Sequence, residues 1–160
     1  MLNKKIIPAG STIAVALSGG KDSIVLLNLL LKASNELKIN VKALNVEHGI
    51  RGEESVRDSE FVKNYCNELS VPLLQRSFNC VEYSKQLGLS VEEGARKFRY
   101  QFFLDCIKEG FCDFVATAHH LSDNVETILF NLFRGASPSG LTGINELGFD
   151  GKIIRPLLNC

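Results

Sequence analysis

Short continuous apolar runs alternate along this chain with longer stretches of helical spacing. Residues 11–18, STIAVALS, are apolar, rich in β-branched side chains and stop at Gly19-Gly20, which predicts a strand buried on both faces. Ile24 to Leu31 is apolar nearly all round and predicts a buried helix. Val41 to Val46 is the next strand, and residues 52–70 carry Val56, Phe61, Val62, Tyr65 and Leu69 among charges, an amphipathic helix. Residues 71–78, VPLLQRSF, predict a third strand. The clearest helix follows: Ser90 and Glu93 form a capping box, Val91, Ala95, Phe98 and Phe102 make one stripe, and Gly110 stops it. Residues 111–120 predict a fourth strand, and residues 123–135 a helix with Val125, Ile128, Leu129 and Leu132 on one face. From Ala136 onward Gly, Ser and Pro predict loop, with a short strand at Lys152 to Ile154.

Strand–helix alternation of this kind predicts an α/β fold, a Rossmann-like parallel sheet of about five strands with helices on both faces. Ligands of such sheets bind beyond the carboxyl ends of the strands, where the strand order reverses. The polar clusters fall at those ends: Ser18 to Ser23 after the first strand, Glu47-His48 after the second, His119, His120 and Asp123 after the fourth.

Composition narrows the class. At 160 residues the chain is the size of one domain, and 45% hydrophobic with 22% charged residues is ordinary globular usage. Lys plus Arg equals Asp plus Glu, 18 each, so overall charge does not by itself argue for a nucleic-acid partner. Five cysteines at irregular spacing, with no C-x-x-C, read as free thiols of a reducing compartment. No apolar run reaches the ~18 residues of a membrane span, and MLNKKIIPAG has two lysines but too short an apolar stretch for a secretory signal. The expectation is a cytoplasmic protein with no membrane partner.

Ser18-Gly19-Gly20-Lys21-Asp22-Ser23 carries the chemistry. A Ser-Gly-Gly turn exposes backbone N–H groups, and the following helix directs its positive end to the same place, an anion site suited to phosphate. Lys21 adds charge, and Ser18 and Ser23 add hydroxyls. Asp22 would repel phosphate unless a cation such as Mg²⁺ lay between them. Neither the Walker A pattern, which needs Gly at Val15 and Ser or Thr at Asp22, nor G-x-G-x-x-G is present. A plain helix cap needs one such residue and not six.

SGGKDS resembles the PP-loop of the N-type ATP pyrophosphatases, which transfer AMP to a substrate oxygen and release pyrophosphate. NVEHGIRGEESVRDSEFV, EEGARKFRYQFF, TAHHLSDNVETILFNLFRG and KIIRPLL are similar, in order and spacing, to segments of the tRNA(Ile)-lysidine synthetase family. That resemblance implies an adenine nucleotide alpha hydrolase-like fold, ATP and Mg²⁺ as cofactors, and a ligase reaction. In it the wobble cytidine of a tRNA(Ile) with a CAU anticodon is adenylated and joined to free L-lysine. It implies that residues 1–160 are one PP-loop catalytic domain without the C-terminal tRNA-binding domains of such enzymes; a homodimer is compatible with it. Residue by residue, it places Ser18, Gly19, Gly20, Lys21, Asp22 and Ser23 at the ATP phosphates and Asp22 and Asp123 at the metal. Asp22, Arg96, His120 and Asp123 are then the catalytic set, with Arg99 a further match. Many members have Asp-Asp where this chain has Ser122-Asp123, which leaves Asp123 to act with Asp22.

Read from spacing alone, these residues have simpler roles open to them. Arg96 and Arg99 share a helix face and suit either a transferring phosphoryl group or pairing with Glu92 and Glu93. Asp123 suits a helix cap as well as a metal. His119-His120 has no third zinc ligand at the usual spacing, and His48 is more simply structural. The rival activities are tRNA 2-thiocytidine synthesis, whose members carry C-x-x-C pairs, amidation of the GMP synthetase type, and a non-catalytic ATP-binding module.

Overall fold

A computed structural model describes residues 2–47, 49, 53–133 and 143–160. The elements in chain order are β1 (Thr12–Leu17), α1 (Lys21–Leu37), β2 (Asn40–Glu47), α2 (Glu53–Glu68), β3 (Leu73–Ser77), α3 (Cys80–Leu87), α4 (Val91–Lys108), β4 (Phe114–Ala116), α5 (Leu121–Phe133), β5 (Leu147–Gly148) and β6 (Ile153–Ile154). The sheet order is β3-β2-β1-β4-β6-β5. All pairs are parallel except β5 with β6. The predicted parallel α/β sheet is therefore present, with a sixth strand that the sequence pattern does not announce.

Alternation along the strands divides the core in two. Ile13, Val15 and Leu17 of β1, with Ala43, Ala116 and Ile154, pack on Leu26, Leu27 and Leu30 of α1 and Val62 and Cys66 of α2. Ala14, Leu44, Val115 and Ile153 face the other way, onto Phe102, Phe103 and Cys106 of α4. Helices thus cover both faces, as continuous apolar strands require. Among the largest contributors, the rings of Phe102 and Phe103 are almost wholly buried, each stabilising the fold by about 2–3 kcal/mol.

Two helical expectations need correction. α1 is not buried all round: Val25 is half exposed, and the buried stripe is Leu26, Leu27, Leu30 and Ala33. Val91 lies at an exposed rim rather than in the α4 core, whose buried residues include Ala95, Phe102, Phe103 and Cys106. The capping box at Ser90 and Glu93 is present. α5 is apolar but has no buried residue, and Val125, Leu129, Leu132 and Phe133 are open to solvent. α3 was not apparent from periodicity, although Asn79 caps its start and Gly88, at φ +65°, ends it.

After β1 the strand order runs outward through β2 to β3, then returns to the other side of β1 at β4. The switch point lies between β1 and β4. The loops leaving these two strands, Ser18–Gly20 and Thr117–His120, face one another there.

Candidate active site

The loop after β1 folds on its own polar groups. Gly19 adopts φ +83°, where a Cβ would also lie 3.1 Å from that of Asp58. The buried Ser23 hydroxyl donates to Gly20 O at 2.8 Å and accepts from Ser18 N at 3.3 Å. Ser18 Oγ accepts from Gly20 N at 3.3 Å. Ser23 is thus a scaffold for the loop, whereas Ser18 and Gly20 are on its open side. The end of β1 is secured by the buried Asn45, which donates to Leu17 O at 2.8 Å and accepts from Gln75 and Ser59.

A cleft of about 240 Å³ opens over this loop. Ser18, Gly20, Asp22 and Ser23 line one side, and Arg99, Tyr100, Thr117, His119 and Asp123 the other. Gly19 and Lys21 are not part of its lining, and Lys21 is exposed at the first position of α1. Asp22 is half-buried in the first turn, where the positive helix end favours a carboxylate.

Asp22 and Asp123 meet through a histidine. His120 Nε2 is 3.7 Å from Asp22 Oδ2, and its Nδ1 is 3.5 Å from Asp123 Oδ2. Asp123 Oδ2 also accepts from His120 N at 2.8 Å; because α5 begins at Leu121, Asp123 is its third residue and closes back onto the cap position, where the sequence suggests Asp123 itself as the cap. The two carboxylates line the same cleft as the phosphate-type loop, a donor set of hard oxygens that fits Mg²⁺.

Of the two arginines on α4, the structure brings Arg99 into this cleft and Arg96 into a neighbouring cavity. Arg99 is exposed as a residue, yet partial burial of its guanidinium foremost, and more weakly the charge of Arg96, draws its pKa below the ordinary value. Arg96 lies over the Tyr100 ring, 5.6 Å from its centroid. Rotation of α4 decides this, because burying Phe102, Phe103 and Cys106 leaves Arg99 and Tyr100 at the cleft edge.

The neighbouring cavity, about 810 Å³, is walled by α4, α5 and the segment 143–149. Ile144 N donates to Asn124 Oδ1 at 2.7 Å, Arg155 N to Glu146 O at 2.9 Å, and Phe149 stacks on Tyr100 with centroids 5.0 Å apart. Tyr100, His119 and Asp123 line both cavities. His119 Nδ1 is 2.9 Å from Thr117 Oγ1. Burial foremost, then the charge of Arg155, lowers the His119 pKa, against the opposing pull of Asp123.

Sequence reasoning put His120 in the catalytic set, noted His119 only as its neighbour in the cluster after the fourth strand, and gave no role to Tyr100, Glu126 or Arg155; His119 and these three line the cavities. A lone arginine within the apolar KIIRPLL was the available signal for Arg155. His48 lies outside the described residues, and Glu47 accepts from Gly49 N at 2.7 Å. Among the described residues no group of three or more His, Cys, Asp or Glu side chains is placed to hold a metal, and no helix is long and apolar enough to cross a membrane.

Known proteins align with this arrangement. The chain is 43% identical over 153 residues to the tRNA(Ile)-lysidine synthase of Thermosipho africanus, covering 96% of this chain and 35% of that protein. It is 40% identical to the enzyme of the same name from Chlorobaculum tepidum, covering 99% of this chain and 47% of that one. The chain therefore spans a third to a half of the length of these relatives. The U34-tRNA thiolase of Methanococcus maripaludis, solved with its 4Fe–4S cluster, superposes with a TM-score of 0.79 over 99% of this chain and 56% of that one. At 23% identity that likeness concerns the fold. The model of the PP-loop domain matches residues 2–160, and the chain belongs to that family.

Proposed function

We propose that this chain carries the ATP-dependent catalytic step of tRNA(Ile)-lysidine synthesis. In this reading the wobble cytidine O2 of tRNA(Ile) attacks the α-phosphorus of ATP, and pyrophosphate leaves. The ε-amine of L-lysine then attacks C2, AMP leaves, and the amine loses its proton. The observation that carries the reading is the junction of two cavities at Tyr100, His119 and Asp123. One cavity lies on a phosphate-type loop, and the other is wide enough for a second substrate. The names of the relatives, at 36–43% identity for the first three, support the same reading.

The residues divide the work by position. Ser18, Gly20 and the positive end of α1 receive phosphate oxygens. Arg99 faces the charge that develops on the transferring phosphoryl group. Asp22 and Asp123 would hold Mg²⁺, which supplies charge neutralisation between carboxylate and phosphate oxygens. His120 keeps the two carboxylates in register from either side. His119, kept toward its neutral form by burial, stands where the second substrate would meet the first.

Thiolation of tRNA is the rival raised by the solved thiolase. The cysteines disfavour it: Cys66, Cys80, Cys106 and Cys112 are buried within the fold, and Cys160 alone of the five is exposed. The chain is expected to be cytoplasmic and to bind ATP with Mg²⁺. The test is incubation with Mg·ATP, L-lysine and a tRNA(Ile) transcript bearing CAU, followed by nucleoside mass spectrometry. Cytidine gaining the mass of lysine less water supports the reading. Pyrophosphate release with no lysine incorporated, under conditions in which the longer relatives succeed and with this chain supplied at excess, would overturn it.

A further inference from the structure

Arg155 is only 6% exposed and lines the wider cavity. Its Nε is enclosed with no acceptor, and the one acceptor its guanidinium finds among the described residues is Asn145 O, at 2.6 Å from Nη1. No carboxylate among the described residues is within ion-pair distance of it. The guanidinium runs close beneath Gly148, where a Cβ would lie 3.0 Å from Nη1 and 3.2 Å from Nη2. A buried cation with a single carbonyl partner is costly, because one neutral acceptor does not offset its lost hydration. A carboxylate matches the planar fork and supplies the missing charge.

The same cavity carries the opposite sign on its α5 wall, at Asp123 and Glu126. Arg155 lies on the β6 side, at the first residue after that strand. A ligand with a carboxylate at one end and an ammonium at the other satisfies both walls. A phosphate or nucleotide would meet Glu126, Asp123 and Glu92 unfavourably. We propose that Arg155 binds the carboxylate of a free amino acid seated in this cavity, with its side-chain amine directed to the Asp123 end, where the cavity joins the phosphate-loop cleft. This rests on the reading above that a free amino acid is the amine donor, and assigns the residue that tells it from a simple amine.

Equilibrium dialysis of the chain with radiolabelled L-lysine, and separately with radiolabelled cadaverine, its analogue without the carboxylate, tests it. A charge-assisted hydrogen bond to the carboxylate makes lysine bind about tenfold or more tighter than cadaverine. Arg155→Met should lose that factor for lysine and leave cadaverine unchanged, and Arg155→Lys should recover part of it. Because cadaverine reports on the same cavity, loss of both ligands in Arg155→Met marks a structural role and overturns the proposal, as does unaltered lysine binding. Equal affinity of the wild-type chain for both ligands overturns it while leaving lysine as substrate. Wild-type binding of neither removes the amine-donor reading, and the proposal with it.

Discussion

The His120 imidazole lies 3.7 Å from the Asp22 carboxylate, joining the loop after β4 to the first turn of α1 across the switch point of the sheet. Because His120 also contacts Asp123, charge removed at Asp22 is felt at both carboxylates. Asp22→Asn keeps the shape and removes the charge. Calorimetry should show Mg²⁺ strengthening ATP binding in the parent chain and failing to do so in the variant. Half-exposed and at a helix start, Asp22 contributes at most about 1 kcal/mol to stability through the helix dipole. An Asp22→Asn chain that melts normally and keeps its full Mg²⁺ response would remove the carboxylate from the metal site.

Arg99 and Arg96 separate by cavity. Arg99→Ala should slow ATP-dependent pyrophosphate release about 10²-fold or more, the scale for removing one transition-state donor. Arg96, over Tyr100 in the wider cavity, should affect the second substrate instead. Its alanine variant should raise KM for the amine donor and leave ATP affinity unchanged. Steady-state kinetics with each substrate varied in turn checks both, and equal losses from the two variants on every parameter would contradict the separation.

The sequence made the loop, the five parallel strands and most of the helices legible because each has a local signature: β-branched runs, capping residues and glycine stops. β5 has none. It is two residues long and exists through pairing of Leu147 and Gly148 with Ile154 and Ile153. Arg96 and Arg99 could not be ranked from spacing, since three residues separate them and the rotation of α4 is set by long-range packing of Phe102, Phe103 and Cys106. The stripe on α5 was legible as apolar, but periodicity does not say what, if anything, a stripe touches. Arg155 was hidden by its neighbours: an arginine among Ile153, Ile154 and Pro156 reads as a strand end until its burial is seen.

Four of the five thiols should resist modification. Burial pushes Cys106 up to about 11 and Cys112 up to about 12, each also raised by nearby carboxylates, and Cys112 by Cys106. Folded, both remain thiols where an unfolded chain begins to ionise, near pH 9. Above that pH the unfolded state binds fewer protons, so stability falls as pH rises. The loss reaches about 1.4 kcal/mol per pH unit for each thiol, and ends as the folded values are passed. Denaturant titrations from pH 8 to 10.5 should show this decline, and Cys112→Ala should flatten it. With a chromogenic disulfide at pH 8, Cys160 should react at once and the other four on unfolding.

Gly94 supports the site from a distance. It lies in the second turn of α4 against Ser84 of α3, where an added Cβ would overlap Ser84 Oγ and sit 3.2 Å from Ser84 Cα. Ser84 is buried, and its hydroxyl donates to Cys80 O at 2.7 Å, so the side chain has no free direction in which to yield. In an open helix Gly→Ala stabilises by about 1 kcal/mol. Here overpacking, about 1–3 kcal/mol and at the upper end because backbone stands in the way, exceeds that gain. Gly94→Ala should therefore destabilise by about 1–2 kcal/mol in urea unfolding, the reverse of the propensity trend. Ser84→Ala should cost less in that background than in the parent, because it removes the overlapping oxygen. Effects that add to within about 0.5 kcal/mol would mean that the residues do not press on one another. Any relief of the clash moves α4 relative to α3, and Arg99 lies on α4 little more than one turn beyond Gly94. ATP affinity should accordingly fall in Gly94→Ala and recover with stability in the double variant.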